Sequence, residues 1–177
     1  MMKEPEELDF SCWAEAVAPG LRRLAFLLTG DWHRAEDLTQ DALIRIYSVW
    51  GRVSGSGSLN AYASQVLVNT NRSWLRVARN RERPTEHLPE RLPLNCPETA
   101  GSDLQDRLAM ALTHLGPSQR RIVVLRYWEC RSEAEVAQML DLSPGTVKSQ
   151  GSRGLALLRE LLAADKVHVG SKGSRRP

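Results

Sequence analysis

The chain has 177 residues, 42% of them hydrophobic and 25% charged, with a formal net charge of +3 from 24 Lys and Arg against 21 Asp and Glu. That length holds one ordinary domain or two small ones, the composition is that of a globular protein, and the charge excess is too small to establish a polyanionic partner. Cys12, Cys96 and Cys130 have neither disulfide nor zinc-ligand spacing, apolar runs such as Leu24 to Leu28 are too short to span a bilayer, and the acidic start MMKEPEELDF is no secretory leader, so a cytoplasmic protein with reduced thiols is expected.

Apolar residues recur at helical spacing almost throughout, which predicts an all-α fold. Residues 1–9 are expected to be disordered. A first helix is predicted from Phe10 to Thr29, with Leu21, Leu24, Ala25 and Leu28 on one face. Thr29-Gly30-Asp31 breaks it, and a second helix follows from Trp32 to Trp50. Its apolar face is Leu38, Ala42, Leu43, Ile46, Val49 and Trp50, and its other face is Asp37, Gln40, Asp41 and Ile44. An isoleucine among acids, turned away from the core, suits a partner surface with an apolar centre and a polar rim. A solvated face with one stray apolar residue is the plainer reading, and the pattern alone favours it.

GRVSGSGSLN is a Gly/Ser-rich loop, and a third long helix runs from Asn60 to Arg83. Its predicted core face is Ala63, Val66, Leu67, Thr70, Trp74, Val77 and Ala78, with Tyr62, Gln65, Asn69, Arg72, Arg76, Arg79 and Arg83 opposite. A cationic stripe without interleaved acids can track a phosphate backbone. An aromatic at its start is the arrangement that stacks on or replaces a base. The stripe therefore favours nucleic acid over a merely solvated face.

Residues 84–102 carry Pro84, Pro89, Pro93 and Pro97 and lose all apolar periodicity, which predicts a flexible Pro-rich linker between two small helical domains, 10–83 and 103–164. Helices are predicted over 103–114, 118–128, 132–140 and 144–163, followed by a basic disordered tail, 165–177, too short for a further domain. Ser132-Glu133-Ala134-Glu135 is a capping box. Asp141-Leu142-Ser143 makes a turn, Ser143 caps the next helix and Pro144 fits its first position. Two helices on a short turn form a helix-turn-helix, with no wing predicted. On the last helix Val147, Leu155, Leu158 and Leu162 share a buried face with Gly151 and Gly154, whose use would be tight packing against the preceding helix. Gly145, Lys148, Ser149 and Ser152 face away from it with Arg153 on the shoulder, small and cationic residues that suit close approach to a major groove. A helical hairpin for protein contact fits the same pattern.

Taken together, these segments resemble the extracytoplasmic-function (ECF) group of bacterial sigma factors, in the sigma-70 family. DWHRAEDLTQDALIRIY is similar to the core-binding segment of sigma domain two, VNTNRSWLR to the segment after the melting region, and LGPSQRRIVVLRYWE with EVAQMLDLSPGTVKSQGSRGLALLREL to sigma domain four. The resemblance covers nearly the whole chain. It implies that Asp37, Gln40, Asp41 and Ile44 bind the clamp coiled coil of the largest subunit of core RNA polymerase. It implies that the loop from Arg52 to Asn60 captures a flipped base of the minus-ten element, and that Asn60, Tyr62, Gln65, Asn69, Arg72, Arg76 and Arg79 meet the melted strand. Gly145, Thr146, Lys148, Ser149, Ser152 and Arg153 would read the minus-thirty-five element. The flap of the second-largest subunit and an anti-sigma protein are further implied partners. The chain departs from the family's pattern at Tyr62, where many relatives carry Trp, at Gln150, where many have Arg, and at Gly151 and Gly154, which replace bulkier residues.

A linker of about 20 residues reaches roughly 60 Å, and each small domain adds a radius of about 11 Å, enough to touch duplex sites about two helical turns apart. A stand-alone helix-turn-helix regulator would explain residues 103–163 but leave the acidic face and the Tyr62 stripe idle. An enzyme is disfavoured, because His33, His87, His114 and His168 stand at no catalytic or ligand spacing. No cofactor, metal or small-molecule substrate is expected.

Overall fold

The computed structural model describes residues 4–55, 57–81 and 103–170, and of residues 4–6, 79–81, 103–106 and 164–170 the backbone only. Every regular element among the described residues is helical. In order these are α1 (Glu4–Thr29), α2 (Trp32–Tyr47), α3 (Trp50–Val53), α4 (Leu59–Arg81), α5 (Asp103–Thr113), α6 (Pro117–Val123), α7 (Glu133–Leu140) and α8 (Pro144–Gly170). A π-helical turn, Val124–Trp128, extends α6. The chain divides into two compact units, residues 1–97 and 98–177. The expected linker, 84–102, lies outside the described residues, and so do Cys96, His87, Arg83 and the end of the tail.

In the first unit α1, α2 and α4 share one core. Leu21, Leu24, Ala25 and Leu28 are buried as the periodicity predicts, and Phe26 and Leu27 are buried with them. Gly30 reverses the chain at a φ of 75°, and Asp31 caps α2 by accepting the Arg34 N–H at 2.9 Å. Trp32 stacks on Phe26 across this corner, centroids 4.1 Å apart. From α2 the core takes Ala35, Leu38, Thr39, Ala42 and Ile46, and from α4 it takes Ala63, Leu67, Val68 and Thr70.

Several boundaries differ from expectation. Residues 4–9 are helical rather than disordered, because Pro5 and a run of acids suit a helix N-terminus. Glu7 is also held by a tertiary bond from the Tyr47 hydroxyl at 3.3 Å. The second helix ends at Tyr47, where the Val49 N–H bonds to the Ile46 carbonyl and tightens the turn. Trp50 therefore opens α3, and residues 50–53 are helix where a loop was expected from Gly51. Val77 is 43% exposed, not core. It lies a turn beyond Trp74, and periodicity marks a helix face without marking where its cover ends. At the far end α8 continues to Gly170, so residues 165–170 are helical, not tail. Nothing between Ala164 and Val169 breaks a helix.

The second unit is built around α6. Ile122, Val123, Val124 and Leu125 are four consecutive residues, none more than 5% exposed, so this helix is covered on all sides. Around it are Ala109, Ala111 and Leu112 of α5, Val136, Ala137, Met139 and Leu140 of α7, and Val147 and Leu158 of α8. Arg120 donates from Nε to the Leu112 carbonyl at 2.7 Å and from its guanidinium to the Thr113 carbonyl at 2.8 Å, closing the last turn of α5.

The capping box forms as predicted. The Glu135 N–H donates to the Ser132 hydroxyl at 3.2 Å, and the Ser132 N–H to the Glu135 carboxylate at 2.8 Å. Ser132, through its side chain and then its backbone N–H, and Arg131 hold the Glu135 carboxyl below its ordinary value of 4.5. Stability from this carboxylate is present above that value and lost as pH falls through the lowered one. Ser132→Ala should lower the unit's stability by about 1 kcal/mol at pH 7. Glu135→Gln should be less stable than wild type at pH 7 and indistinguishable from it at pH 3, as read by urea melts.

Candidate protein and nucleic-acid interfaces

Burying Leu38, Ala42 and Ile46 turns the other side of α2 outward. Asp37 and Gln40 are exposed there, and Ile44 is 66% exposed one turn further on. Asp41 differs from its neighbours. It is half-buried, and its carboxylate accepts the Trp74 indole N–H from α4 at 3.2 Å. Position 41 thus ties α2 to α4 as well as facing outward.

The stripe on α4 is real but graded. Asn60, Asn69, Arg72 and Arg76 are exposed, while Tyr62 and Gln65 are half-buried. Gln65 donates to the Asn69 side-chain oxygen at 3.2 Å, one turn along the same face. The side chain of Arg79 lies outside the described residues. Behind the stripe Asn71 is 3% exposed, and its amide nitrogen is without a protein partner. Before α4 the residues of the 54–58 loop that are described (Ser54, Gly55, Gly57 and Ser58) are all exposed, as is Arg52.

One contact at this end was not foreseen. Trp13 of α1 donates its indole N–H to the Asn60 side-chain oxygen at 3.3 Å. Its ring lies 5.1 Å from that of Trp50 and 5.9 Å from that of Phe10. The available signal was a tryptophan early in an amphipathic helix, whose N–H requires an acceptor once the ring is packed.

In the second unit Asp141 takes the left-handed conformation at φ 56° and ends α7, a role a short polar side chain tolerates. The Leu142 N–H then bonds to the Ala137 carbonyl at 2.9 Å, and Ser143 caps α8 by accepting the Thr146 N–H at 3.1 Å. Gly145, Lys148, Ser149, Ser152 and Arg153 are exposed along one side of α8, and Thr146 is half-buried with its hydroxyl 2.8 Å from that of Ser143. Ser149 donates its hydroxyl to the Thr146 carbonyl at 3.2 Å. The opposite side contains Gly151 and Gly154. They pack not on α7, the preceding helix, but on α6 and the turn before it. A Cβ on Gly151 would meet Ile122 at 3.2 Å, and one on Gly154 would meet Val123 at 2.8 Å and Leu115 at 3.2 Å.

The described residues hold no cluster of His, Cys, Asp and Glu able to bind a metal ion, and no helix long and apolar enough to cross a membrane. Cys12 and Cys130 are exposed free thiols.

Residues 13–81 match the family Sigma-70 region 2, and residues 105–158 match Sigma-70, region 4. The chain is 40% identical over 161 residues to the RNA polymerase sigma-E factor of Streptomyces coelicolor, covering 90% of this chain and 89% of that one. It is 34% identical over 166 residues to the ECF RNA polymerase sigma factor SigE of Mycolicibacterium smegmatis, covering 85% of this chain and 62% of that one. Among solved structures it is similar to the sigma factor RpoE in its complex with the anti-sigma factor NepR from Bartonella quintana. That match has a TM-score of 0.68 and 28% identity, and covers 89% of this chain and 98% of the other.

Proposed function

Because this chain belongs to the sigma-70 family, in its extracytoplasmic-function group, we propose a division of labour among its surfaces. It is an RNA polymerase sigma factor, which binds core polymerase and directs promoter-specific transcription initiation. Asp37, Gln40, Asp41 and Ile44 dock on the clamp coiled coil. The Arg52–Asn60 loop captures a flipped minus-ten base, and the α4 stripe of Asn60, Tyr62, Gln65, Asn69, Arg72, Arg76 and Arg79 holds the opened strand. Lys148, Ser149 and Arg153, with Gly145, Thr146 and Ser152, read the minus-thirty-five duplex, while the second unit rests on the flap. The factor carries no catalytic group of its own and works in the cytoplasm. An anti-sigma protein restrains it, as NepR partners its structural neighbour.

The observation that carries this reading is Ile44. It is a large apolar side chain 66% exposed beside exposed Asp37 and Gln40, on a helix whose other side is fully used by the core. Docking supplies the cover that the fold does not.

The test is reconstitution. The full chain, mixed with core polymerase, should co-elute in gel filtration and start transcripts at discrete sites on a library of genomic fragments. A chain that never co-elutes, yet binds a palindromic duplex as a dimer, would be a stand-alone regulator instead. Within the holoenzyme, Arg72→Ala with Arg76→Ala should weaken binding to a single strand without changing its base preference. The slope of log K against log salt should fall by about 1.4, the loss of two single-strand phosphate contacts.

A further inference from the structure

The exposed 54–58 loop is flanked on both sides by contacts to the same tryptophan of α1. Before it stands Trp50, buried, with ring centroids 5.2 Å from Phe10 and 5.1 Å from Trp13. After it stands Asn60, whose side-chain oxygen accepts the Trp13 indole N–H at 3.3 Å. An indole nitrogen only donates, so the amide atom facing it is the carbonyl oxygen and the NH2 group is turned the other way. Asn60 is exposed, which leaves that NH2 available.

We infer that Trp13 is a positioning residue for the opened strand: by occupying the Asn60 oxygen it presents position 60 as a hydrogen-bond donor only, so that this position takes an acceptor on the DNA. The inference rests on the reading that the start of α4 meets single-stranded DNA. The acceptor is a base carbonyl or ring nitrogen, or a phosphate oxygen, which have the same chemistry toward an amide NH2. Without the indole the amide is free to flip and offer its oxygen, which repels any acceptor.

The experiment uses holoenzyme reconstituted from the full chain and core polymerase. A pool of single-stranded DNA randomised over the minus-ten segment is selected on the wild type, and the best strand is then titrated. Trp13→Phe keeps the aromatic ring and removes the donor. Asn60→Asp keeps an oxygen for Trp13 and replaces the outward donor by an acceptor. Asn60→Ala removes both. Co-elution with core should be unchanged in all three, which reports an intact first unit.

Asn60→Asp should weaken the strand by at least about tenfold, and Trp13→Phe by about three- to tenfold, the worth of one neutral hydrogen bond. Adding Trp13→Phe to Asn60→Ala should cost nothing more, because the two act as one unit. Flattened preference at one base would place the acceptor on that base, and equal weakening of all strands would place it on phosphate. The inference is overturned if Trp13→Phe matches wild type while Asn60→Ala is weakened, or if the two losses multiply. It is overturned as well, with α4 still the strand-binding helix, if both Asn60 variants bind normally while the Arg72 and Arg76 changes weaken binding. Wild-type holoenzyme that binds no single strand would sink the α4 reading itself, and this inference with it.

Discussion

A double variant, Asp37→Arg with Ile44→Glu, should leave the chain folded and abolish its co-elution with core polymerase. Both side chains point to solvent, so their replacement should move the urea midpoint of the first unit by less than about 0.5 kcal/mol equivalent. In the complex the same changes place a reversed charge and a buried carboxylate at the interface. Either alone costs a few kcal/mol when desolvated, and together they should weaken core binding by at least about 100-fold. Asp41 is left out deliberately, because its carboxylate also accepts the Trp74 N–H and reversing it would disturb the α2–α4 packing. Asp41→Asn, which keeps an acceptor for Trp74, is the companion: a folded protein with partly weakened binding. Undiminished co-elution of the double variant would place the docking face elsewhere.

The largest effect on folding should come from Gly154. An alanine there gains about 1 kcal/mol of helix propensity, but its Cβ would stand 2.8 Å from the Val123 methyl, with Leu115 at 3.2 Å and the Gln119 Cβ at 3.5 Å. Val123 is buried and β-branched, so it has no alternative rotamer to retreat to. Overpacking of this kind costs about 1–3 kcal/mol and wins over the propensity gain. Gly154→Leu has no space at all. It should remove the second unit's cooperative transition, since a domain of this size has only about 5 kcal/mol to lose, and duplex binding should go with it. Gly151→Ala is the contrast. Its single close contact is the Ile122 methyl at 3.2 Å, so the clash and the propensity gain nearly cancel, and its urea midpoint should stay close to wild type. Equal behaviour of the two alanine variants would contradict this account of α6–α8 packing.

Much of this was legible in the sequence, and the rest was hidden for definite reasons. Helix faces were readable because burial repeats with the helix period: Leu21, Leu24, Ala25, Leu38, Ala42, Leu67 and Val147 are all buried. Caps were readable because they are short-range chemistry, as at Ser132 with Glu135 and Ser143 with Thr146. Bonds between residues distant in the chain were not. Glu7 with Tyr47 carries α1 upstream of its predicted start, Asp41 with Trp74 makes one docking residue do two jobs, and Trp13 with Asn60 links the first helix to the fourth. The glycines of α8 were expected to pack closely, but which helix they met depended on the topology. The site residues on α2, α4 and α8 do stand outward on their helices, with Asp41, Tyr62, Gln65 and Thr146 more enclosed than a helical wheel implies.

The π-helical turn at Val124–Trp128 bears on how this stretch of the gene can change. Such a turn holds one residue more than the α-helical turn it replaces. Deleting a single codon here would let the helix relax to ordinary geometry and would rotate everything after it by about 100°. Leu125, Tyr127 and Trp128 would then face new directions, and the capping box at Ser132 would start α7 on a different heading. Tyr127 and Trp128 are 53% and 39% exposed, so their identities are free to drift. What is fixed here is the count of codons more than their spelling.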